Sequence, residues 1–311
     1  MAEHSLSPMK RTIVGVQFMF VAFGSTVLVP ILCNLDPAVA LLAAGLGTLL
    51  FHLVTGGKVP IYLGSSFAFI APIIKATELY GLSGMFCGLV SVGIVYMLMS
   101  LLVKTFGIGF IKKLFPPIVI GPVIILIGLS LASTGVNMAK ANWILALVSL
   151  AVAVAASIWG KGIVKLIPVV FGAVAGYIVS LLFFRESMDF SPVAQASWFA
   201  IPKLSHMTFS WQAILFMAPV AIAPIIEHVG DMYAISSIAG KDFIKDPGLH
   251  RSLFADFFST TVSGCLGSVP TTTYGENIGV MAVTKVYSVQ VIGGAAVLSI
   301  CCSFLGKLAA L

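Results

Sequence analysis

Apolar runs separated by short polar stretches extend along the whole chain of 311 residues. A helix needs about 20 mostly apolar residues to cross a bilayer, and nine runs come close to that length. Two further segments, at 60–74 and 268–285, are shorter and interrupted, so the pattern predicts an all-α chain with eleven crossings or half-crossings. The nine predicted spans are 13–32, 37–54, 81–103, 115–134, 143–160, 164–184, 211–235, 252–267 and 289–311.

The two interrupted segments resemble each other. Residues 59–69 read VPIYLGSSFAF and residues 270–277 read PTTTYGEN. Each begins near a Pro and passes through β-branched, aromatic and hydroxyl residues to a Gly, which is typical of extended chain followed by the start of a half-helix. Paired broken segments indicate the binding site of a transporter, because irregular backbone at membrane depth is tolerated only where it is buried or lines a cavity. Two loops dipping to the membrane interface are the alternative.

The order of the segments predicts an inverted repeat. The span that contains Glu227 would correspond to the first span, and the 268–285 segment to the 60–74 segment. If the first repeat has seven elements, the second should have seven as well. Only four follow, namely those with Glu227, Asp256 and Glu276 and the last span, so we expect this chain to lack the C-terminal part of the second repeat.

Composition supports a membrane protein with many spans. Hydrophobic residues make up 59% of the chain and charged residues 9%, against roughly 25% charged residues in soluble domains. The five cysteines lie in or beside apolar runs without a CxxC pair, so we expect apolar filling rather than disulfides or metal ligands.

The basic residues predict the orientation of the chain. They fall mostly in short loops, so the net charge of +6 does not indicate a nucleic-acid partner. With the N-terminus in the cytoplasm, 12 of the 17 Lys and Arg residues lie inside and 4 outside. This is the bias of a multi-pass protein of the plasma membrane, or inner membrane in bacteria.

Carboxylates inside apolar runs are the candidate functional residues. A charge in a bilayer costs at least about 2.5 kcal/mol unless it is paired, protonated or hydrated, so Glu227 and Glu276 indicate a solute or ion pathway. If helical, Glu227 and Asp231 share a face at i, i+4 spacing. Two like charges in a low dielectric resist joint ionisation, so one group is expected to hold a proton near neutral pH. A solvated helix end is the alternative for Asp231.

Two further ionisable residues lie nearby in the sequence. His228 would face another side of the helix, either as a proton relay or as a packing histidine. Asp256, in the weakly apolar span 252–267, could orient a neighbour or a half-helix. A metal site of a membrane-embedded enzyme could be imagined around Glu227 and His228, but no second His or Cys cluster accompanies them. We therefore expect no metal, no cofactor and no catalytic residue.

The two predicted breaks define the kind of ligand. A half-helix that begins at Gly275 would leave unpaired N–H groups near the membrane midplane, and Phe67 would present equivalent groups across the site. Together with two carboxylates, these groups describe a flat ligand that donates and accepts hydrogen bonds. A nucleobase fits, whereas a simple anion would be repelled. Phe67 and Tyr274 could pack against its ring.

Residues 276–285 (ENIGVMAVTK) resemble the signature of the nucleobase–ascorbate transporter family: an acidic or amide residue, Asn, any residue, Gly, four residues and Thr, usually followed by a basic residue. Residues 272–277 resemble the uracil type of this motif, since purine-type members tend to have Gln in place of Glu276. LGSSFAF at 63–69, EHVG at 227–230 and DPGLHRS at 246–252 look similar as well. The resemblance covers essentially the whole chain and is closest to bacterial uracil:proton symporters.

This resemblance implies an architecture of fourteen segments in two inverted repeats of seven. Residues 1–104 and 206–311 would form a core domain and residues 105–205 the first part of a gate domain, with the remaining gate segments absent. It implies uptake of uracil with a proton, by an elevator-like movement of core against gate in a homodimer built through the gate. The implied partners are a nucleobase, protons and the lipid bilayer, and no nucleic acid.

The resemblance also implies residue roles. Glu227 and Glu276 would hold the edge of uracil, directly or through water, and backbone groups at Phe67, Tyr274 and Gly275 would complete the site. Proton coupling would involve Glu227, Asp231 and His228. The residues expected to support the site are Asn277, Gly279, Thr284, Ser65, Ser66, Ser25 and Asp256.

The chain departs from the family pattern at two positions. Some uracil symporters have His where this chain has Asp231, which leaves open whether Glu227, Asp231 or both carry the proton. Lys285 replaces the more usual Arg and keeps the charge without the bidentate geometry. The alternative functions are a permease of the same family for xanthine or uric acid, and a truncated fragment that binds a nucleobase without transporting it.

Overall fold

The computed structural model of this protein describes residues 8–114, 116–161, 164, 168–185 and 191–309. Within these residues the chain is mostly helical and has one sheet of two strands. Two 3₁₀ turns, Phe67–Phe69 and Ala218–Ala221, lead into long helices. The elements in chain order are α1 (Pro8–Leu32), α2 (Pro37–Val54), β1 (Leu63–Ser65), α3 (Ile70–Phe106), α4 (Ile108–Leu114), α5 (Pro117–Ala139), α6 (Trp143–Trp159), α7 (Pro168–Phe183), α8 (Ser191–Gln195), α9 (Trp211–Met217), α10 (Ile222–Ala239), α11 (Leu249–Leu266), β2 (Thr271–Thr273), α12 (Gly275–Thr284), α13 (Val289–Ser303) and α14 (Gly306–Ala309).

Apolar helices of membrane-spanning length account for much of the structure. Among the described residues, three helical stretches reach that length and hydropathy, namely Pro37–Val54, Phe67–Phe106 and Trp211–Ala239. Shorter apolar helices are Trp143–Trp159, Val170–Phe183 and Val289–Ser303. Large apolar side chains such as Leu129, Leu147 and Leu182 face outward and are more than half exposed. Because so large an apolar surface suits lipid rather than water, the protein is a multi-pass membrane protein.

Local capping signals set the bounds of several helices. The Asp36 carboxylate accepts a hydrogen bond from Ala38 N, and Pro37 occupies the first turn of α2. Asn142 caps α6 by accepting from the amides of Ile144 and Leu145. Side-chain caps of this kind satisfy N–H groups that the helix itself leaves free. The helix bounds predicted at 37–54 and 143–160 are confirmed to within a residue.

The first interrupted segment extends further than predicted. After the Phe67–Phe69 turn, helix continues through residues 70–80, and the chain breaks only at Gly81, whose φ of 71° and ψ of 165° are not helical. The rest of α3 then runs to Phe106. Glycine adopts positive φ at little cost, so Gly81 rather than the end of the apolar run decides where the half-helix stops.

The last predicted span, 289–311, is interrupted. α13 ends at Ser303, and the next residues pair with the segment before α9: Ala200 N donates to Phe304 O at 3.0 Å and Gly306 N donates to Trp198 O at 3.1 Å. Backbone pairing to a distant segment therefore replaces helix at this point. Predictions for residues 1–7, 115, 165–167 and 310–311 lie outside the described residues.

Close contacts between helix backbones hold the bundle together. α3 packs along α11, and α2 packs against both α11 and α13. A Cβ added to Gly45 of α2 would lie 2.6 Å from Ala296 O of α13, and one added to Gly88 of α3 would lie 2.8 Å from Ala213 O of α9. Small residues at helix crossings allow this approach, which dispersion forces then stabilise in a membrane.

The sheet joins the two interrupted segments. β1 and β2 are antiparallel, with Leu63 opposite Thr273, Gly64 opposite Thr272 and Ser65 opposite Thr271. All six residues are buried. Each segment is extended first and helical afterwards, as the sequence predicts. The sequence does not predict the pairing itself, which joins segments at opposite ends of the chain.

Hydroxyl groups of neighbouring helices bond to the outer edges of this sheet. Thr48 Oγ1 of α2 accepts from Leu63 N at 2.9 Å, and Thr260 Oγ1 of α11 donates to Thr271 O at 3.3 Å. A buried backbone group without a partner is costly at membrane depth, and a two-stranded sheet has no further strands to supply one. The hydroxyls of Thr48 and Thr260 supply these hydrogen bonds instead.

Thr48→Val is expected to lower the free energy of unfolding by about 1–3 kcal/mol, because valine keeps the shape of threonine but leaves the buried N–H of Leu63 without an acceptor. Thermal unfolding of the purified protein in detergent measures this as a lower midpoint. Thr105→Val is the matched control, since the Thr105 hydroxyl is exposed and bonds to carbonyls of its own helix. Equal midpoints for the two variants would contradict the role of Thr48.

Candidate functional site

A small cavity of about 70 Å³ lies where the two strands give way to helix. It is much smaller than the roughly 300–1,000 Å³ of pockets for drug-sized ligands, so it suits a small molecule. Both interrupted segments contribute to its wall, and α10 contributes Glu227. The lining residues are Ser65, Ser66, Phe67, Ala68, Glu227, Thr272, Thr273, Tyr274 and Glu276.

Two helix N-termini meet at this cavity. α12 begins at Gly275, after Tyr274 in extended conformation. The turn that starts at Phe67 follows Ser66, which is also extended. Because β1 and β2 are antiparallel, the two segments enter the cavity from opposite directions. The first N–H groups of a helix have no acceptor within it and carry partial positive charge, so both ends favour a ligand oxygen.

Two carboxylates line the same cavity. Glu227 is half-buried on α10, and Glu276 is exposed in the first turn of α12. They are close enough for the charge of Glu276 to act on Glu227. An ionised carboxylate only accepts hydrogen bonds, so the side chains offer acceptors where the helix ends offer donors. This arrangement matches a ligand that presents both N–H and C=O groups.

Asp231 lies one turn beyond Glu227 and against the start of α12. Its Oδ1 is 3.1 Å from the position that a Cβ on Gly275 would take, and it is half-buried. Its Oδ2 is buried, and the carboxylate interacts with the side chain of Thr273. Asp231 is therefore not a solvated helix end, and a side chain at position 275 would press on its carboxylate. It adjoins the cavity wall without being part of it.

Aromatic side chains stand on both sides of the cavity. Tyr274 is buried, and its ring lies 3.1 Å from the position of a Cβ on Gly64, so a larger residue there would press on the ring. Phe67 is half-buried on the opposite segment. Ser25 of α1 lies beside the Tyr274 hydroxyl. The structure thus places Phe67, Tyr274 and Ser25 around one site.

Several polar groups near the cavity have no hydrogen-bond partner within the described part of the chain. They are the hydroxyls of Ser65 and Ser66 and both polar side-chain atoms of Asn277, all buried. Buried polar groups in proteins are almost always satisfied, so each such group requires an explanation. A polar ligand or ordered water in and around the cavity would provide partners for them.

Two of the predicted supporting residues lie elsewhere on α12. Gly279 is exposed, and a Cβ there would contact nothing within 4 Å. Thr284 Oγ1 donates to Val280 O at 2.8 Å at the end of the helix. Lys285 follows with a positive φ of 58°. Thr284 and Lys285 lie at the C-terminal end of α12, and none of the three residues lines the cavity.

His228 and Asp256 also lie away from the cavity, and they contact each other. Both side chains are fully buried, with His228 Nδ1 2.9 Å from Asp256 Oδ2. His228 Nε2 is 2.8 Å from Ser252 Oγ. Sequence reasoning selected both residues but missed their pairing and missed Ser252. Among the described residues, no three His, Cys, Asp or Glu side chains are grouped to hold a metal ion.

A hydroxyl cluster beneath β2 was also missed. Thr271 Oγ1 bonds to Ser259 Oγ and, at 2.8 Å, to Ser263 Oγ. A Cβ on Gly47 would collide with the Ser259 hydroxyl, so the cluster requires a residue without a side chain at position 47 of α2. The signal that could have found the cluster is the i, i+4 pair of serines in an otherwise weakly apolar helix.

Comparison with known proteins identifies the relatives of this chain. The family model described as "Permease family" matches residues 9–311. The probable uracil permease of Haemophilus influenzae is 45% identical over 313 residues, covering 98% of this chain and 75% of that protein. The uracil permease of Escherichia coli (strain K12) is 44% identical over 315 residues, covering 97% of this chain and 73% of that protein.

A solved structure shares the fold. The transmembrane domain of a cyanobacterium bicarbonate transporter, BicA, superposes with a TM-score of 0.69 over 96% of this chain and 86% of that domain, at 14% sequence identity. Likeness at so low an identity concerns the fold alone. The sequence matches go further and point to a permease, not an enzyme. On these matches, the chain belongs to the nucleobase–ascorbate transporter family of permeases.

Proposed function

We propose that this protein is a secondary transporter that takes up uracil together with a proton. The observation that carries the proposal is the cavity in which two carboxylates, Glu227 and Glu276, face two helix N-termini. The names of the relatives, which are uracil permeases, support a nucleobase as the ligand. Neither an anion nor an apolar solute would match both kinds of group.

Uracil would be bound through its edges and its faces. Its N–H groups donate to the carboxylates of Glu227 and Glu276, and its carbonyl oxygens accept from backbone amides at Phe67 and at the Tyr274–Gly275 helix start. The rings of Phe67 and Tyr274 limit the thickness of the ligand. Hydrogen bonds in which one partner is charged are about twice as strong as neutral ones, so the carboxylate that stays ionised would contribute most to the binding free energy.

Proton coupling would follow from the crowding of carboxylates. The carboxylate of Glu227 lies close enough to those of Glu276 and Asp256 to interact with them electrostatically. The carboxylate of Asp231 interacts in the same way with those of Glu227 and Glu276. Since neighbouring carboxylates in a low dielectric do not all ionise together, the empty site retains a proton on Glu227 or Asp231. A protonated site binds uracil more tightly than a deprotonated one, and this difference in affinity couples the two solutes.

The transport movement would be that of an elevator. In this proposal residues 1–104 and 206–311 form the core domain of two inverted seven-segment repeats, and residues 105–205 belong to a gate through which two copies associate. The packing supports it: α2 lies on α13 as α11 lies on α3, while α6 packs mainly against α7. The N-terminus would face the cytoplasm, with the protein in the plasma membrane.

Labelled uracil should bind saturably to the purified protein in lipid nanodiscs. The affinity should rise as the pH falls, because the protonated site binds uracil more tightly than the deprotonated one. Xanthine should compete poorly, since purine-type members of the family tend to have Gln where this chain has Glu276. Uptake into proteoliposomes should then respond to an imposed pH gradient. Absence of saturable binding by folded protein, or stronger binding of xanthine, would contradict the proposal.

A further inference from the structure

A segment without regular structure leads from α8 into α9 along one end of the helix bundle. We call residues 197–211 the connecting segment; its last residue, Trp211, begins α9, and the rest is neither helix nor strand apart from a single bridge between Phe199 and Leu305. Large apolar side chains of the connecting segment face outward. They are Trp198, Phe199, Ile201, Leu204, Met207, Phe209 and Trp211.

Backbone contacts place the connecting segment across the ends of helices. Ser205 N donates to the carbonyl of Leu266, the last residue of α11, at 3.4 Å. Thr208 N donates to Ser83 O, just after the break in α3, at 3.2 Å, and the contact with the residue after α13 was described above. The stretch Trp211–Ala239, which has membrane-spanning length, begins where the segment ends. The segment therefore lies at the depth where the hydrocarbon core of the bilayer meets the head groups.

Neither bulk water nor hydrocarbon suits this segment. Trp198 is 70% exposed and Ile201 84% exposed, and a continuous apolar surface of this kind is unfavourable in water. The backbone around them is not paired within a helix or a sheet, and unpaired N–H and C=O groups are costly in hydrocarbon. The head-group layer meets both requirements, because water there pairs with the backbone while the neighbouring acyl chains take up the rings.

The residue types are those of a membrane interface. Tryptophan is enriched at this depth, and Trp198 and Trp211 stand near the two ends of the segment. Residues 191–211 contain no Asp or Glu, and the exposed Lys203 can reach lipid phosphates while its stem lies along apolar surface. Lys307 Nζ lies 5.2 Å from the centre of the Trp198 ring, a cation–π contact that steadies the ring and leaves most of it exposed.

We propose that the connecting segment binds lipid and lies in the head-group layer of the bilayer, with Trp198, Ile201 and Phe209 against the acyl chains. Its apolar side chains are spread along the whole segment, whereas a protein partner concentrates its binding energy on a small central cluster. Through this contact the segment keeps the ends of α3, α11 and α13 at one depth. No step involves uracil, so the proposal stands independently of the proposed function.

Depth-dependent quenching of tryptophan fluorescence tests the proposal. Replacing Trp143, Trp159 and Trp211 by Phe leaves Trp198 as the single tryptophan, and the protein is placed in bilayers that contain a lipid with a spin label either near the head group or at the end of the acyl chain. We expect the label near the head group to quench Trp198 at least about twofold more strongly than the label at the chain end.

The deep reference is Leu150→Trp in a variant whose four natural tryptophans are replaced by Phe. Leu150 is exposed near the middle of α6, so the chain-end label should be the stronger quencher there. Three results would overturn the proposal for Trp198. Quenching by aqueous iodide but by neither lipid label would place the segment in water, quenching by none of the three would mean that protein covers it, and stronger quenching by the chain-end label would place it in hydrocarbon.

A second measurement keeps all four tryptophans. Cys265, Cys301 and Cys302, which are not buried, are replaced by Ala, and a spin label is attached at Ile201→Cys or at Asp242→Cys, an exposed position in the loop after α10. Oxygen concentrates in lipid, whereas a nickel chelate stays in water. The ratio of collisions with oxygen to collisions with nickel should be at least about threefold higher at position 201 than at position 242. Equal ratios would contradict lipid contact by the connecting segment.

Discussion

Glu276→Gln is expected to weaken uracil binding roughly thirtyfold, a loss of about 2 kcal/mol, because a hydrogen bond to a charged acceptor is replaced by one to a neutral amide. The amide NH₂ also faces ligand N–H groups that it cannot bind. Competition by xanthine should rise in the same variant, since Gln offers a donor to a purine. Equilibrium binding of labelled uracil, with and without xanthine, measures both effects.

The control for this variant is Glu78→Gln. Glu78 is exposed and pairs with Lys75 on the surface, away from the lining of the cavity. The change of chemistry is identical, so uracil affinity in this variant should equal that of the parent. Unchanged affinity in Glu276→Gln, measured on protein that unfolds at the parental temperature, would remove Glu276 from the site.

Gly45→Val is expected to destabilise the protein severely, lowering the free energy of unfolding by about 3 kcal/mol. The Cβ alone would lie 2.6 Å from Ala296 O and 2.5 Å from Ile300 Cγ1, so valine must force α2 and α13 apart. The backbone oxygen of Ala296 cannot move aside as a flexible side chain would. Thermal unfolding monitored by intrinsic fluorescence should show a large drop in the midpoint.

Gly294→Val is the matched control for Gly45→Val. Gly294 lies on α13, one of the same two helices, but it is exposed and a Cβ there would meet nothing within 4 Å. Its substitution should leave the midpoint unchanged or slightly raised, because any other residue is a better helix former than glycine, proline excepted. If both variants lowered the unfolding midpoint to a similar extent, the loss would come from replacing any helical glycine by valine. The close packing of α2 on α13 would then not be its cause.

Local signals allowed most helices to be predicted. Asp36 with Pro37, and Asn142 before Trp143, are caps that act within a few residues, so the sequence beside them contains all the necessary information. The interruption at Phe304 is different, because it depends on backbone pairing with residues near 199. No pattern in residues 289–311 indicates that contact.

In the candidate site, too, single residues could be predicted from the local sequence, whereas their arrangement depends on distant contacts. Gly275 and the carboxylates of Glu227 and Glu276 could be selected individually, because a helix break or a charge in an apolar run is visible on its own. Their arrangement around one cavity depends on a register of three residues between β1 and β2 and on hydroxyls of Thr48 and Thr260. Periodicity within one segment cannot give a register between two, and the pairing of His228 with Asp256 was hidden for the same reason.

The three-residue sheet also sets an order for the synthesis of the protein. Leu63 and Thr273 are about 210 residues apart, and a ribosome adds roughly 5–20 residues per second, so β1 exists for about 10 to 40 s before β2 is made. During that interval Thr48, already translated, is the partner at hand for Leu63 N. The remaining backbone groups of β1 must stay in contact with water or with the insertion machinery. The proposed binding site is therefore among the last parts of the bundle to form as the nascent chain enters the membrane.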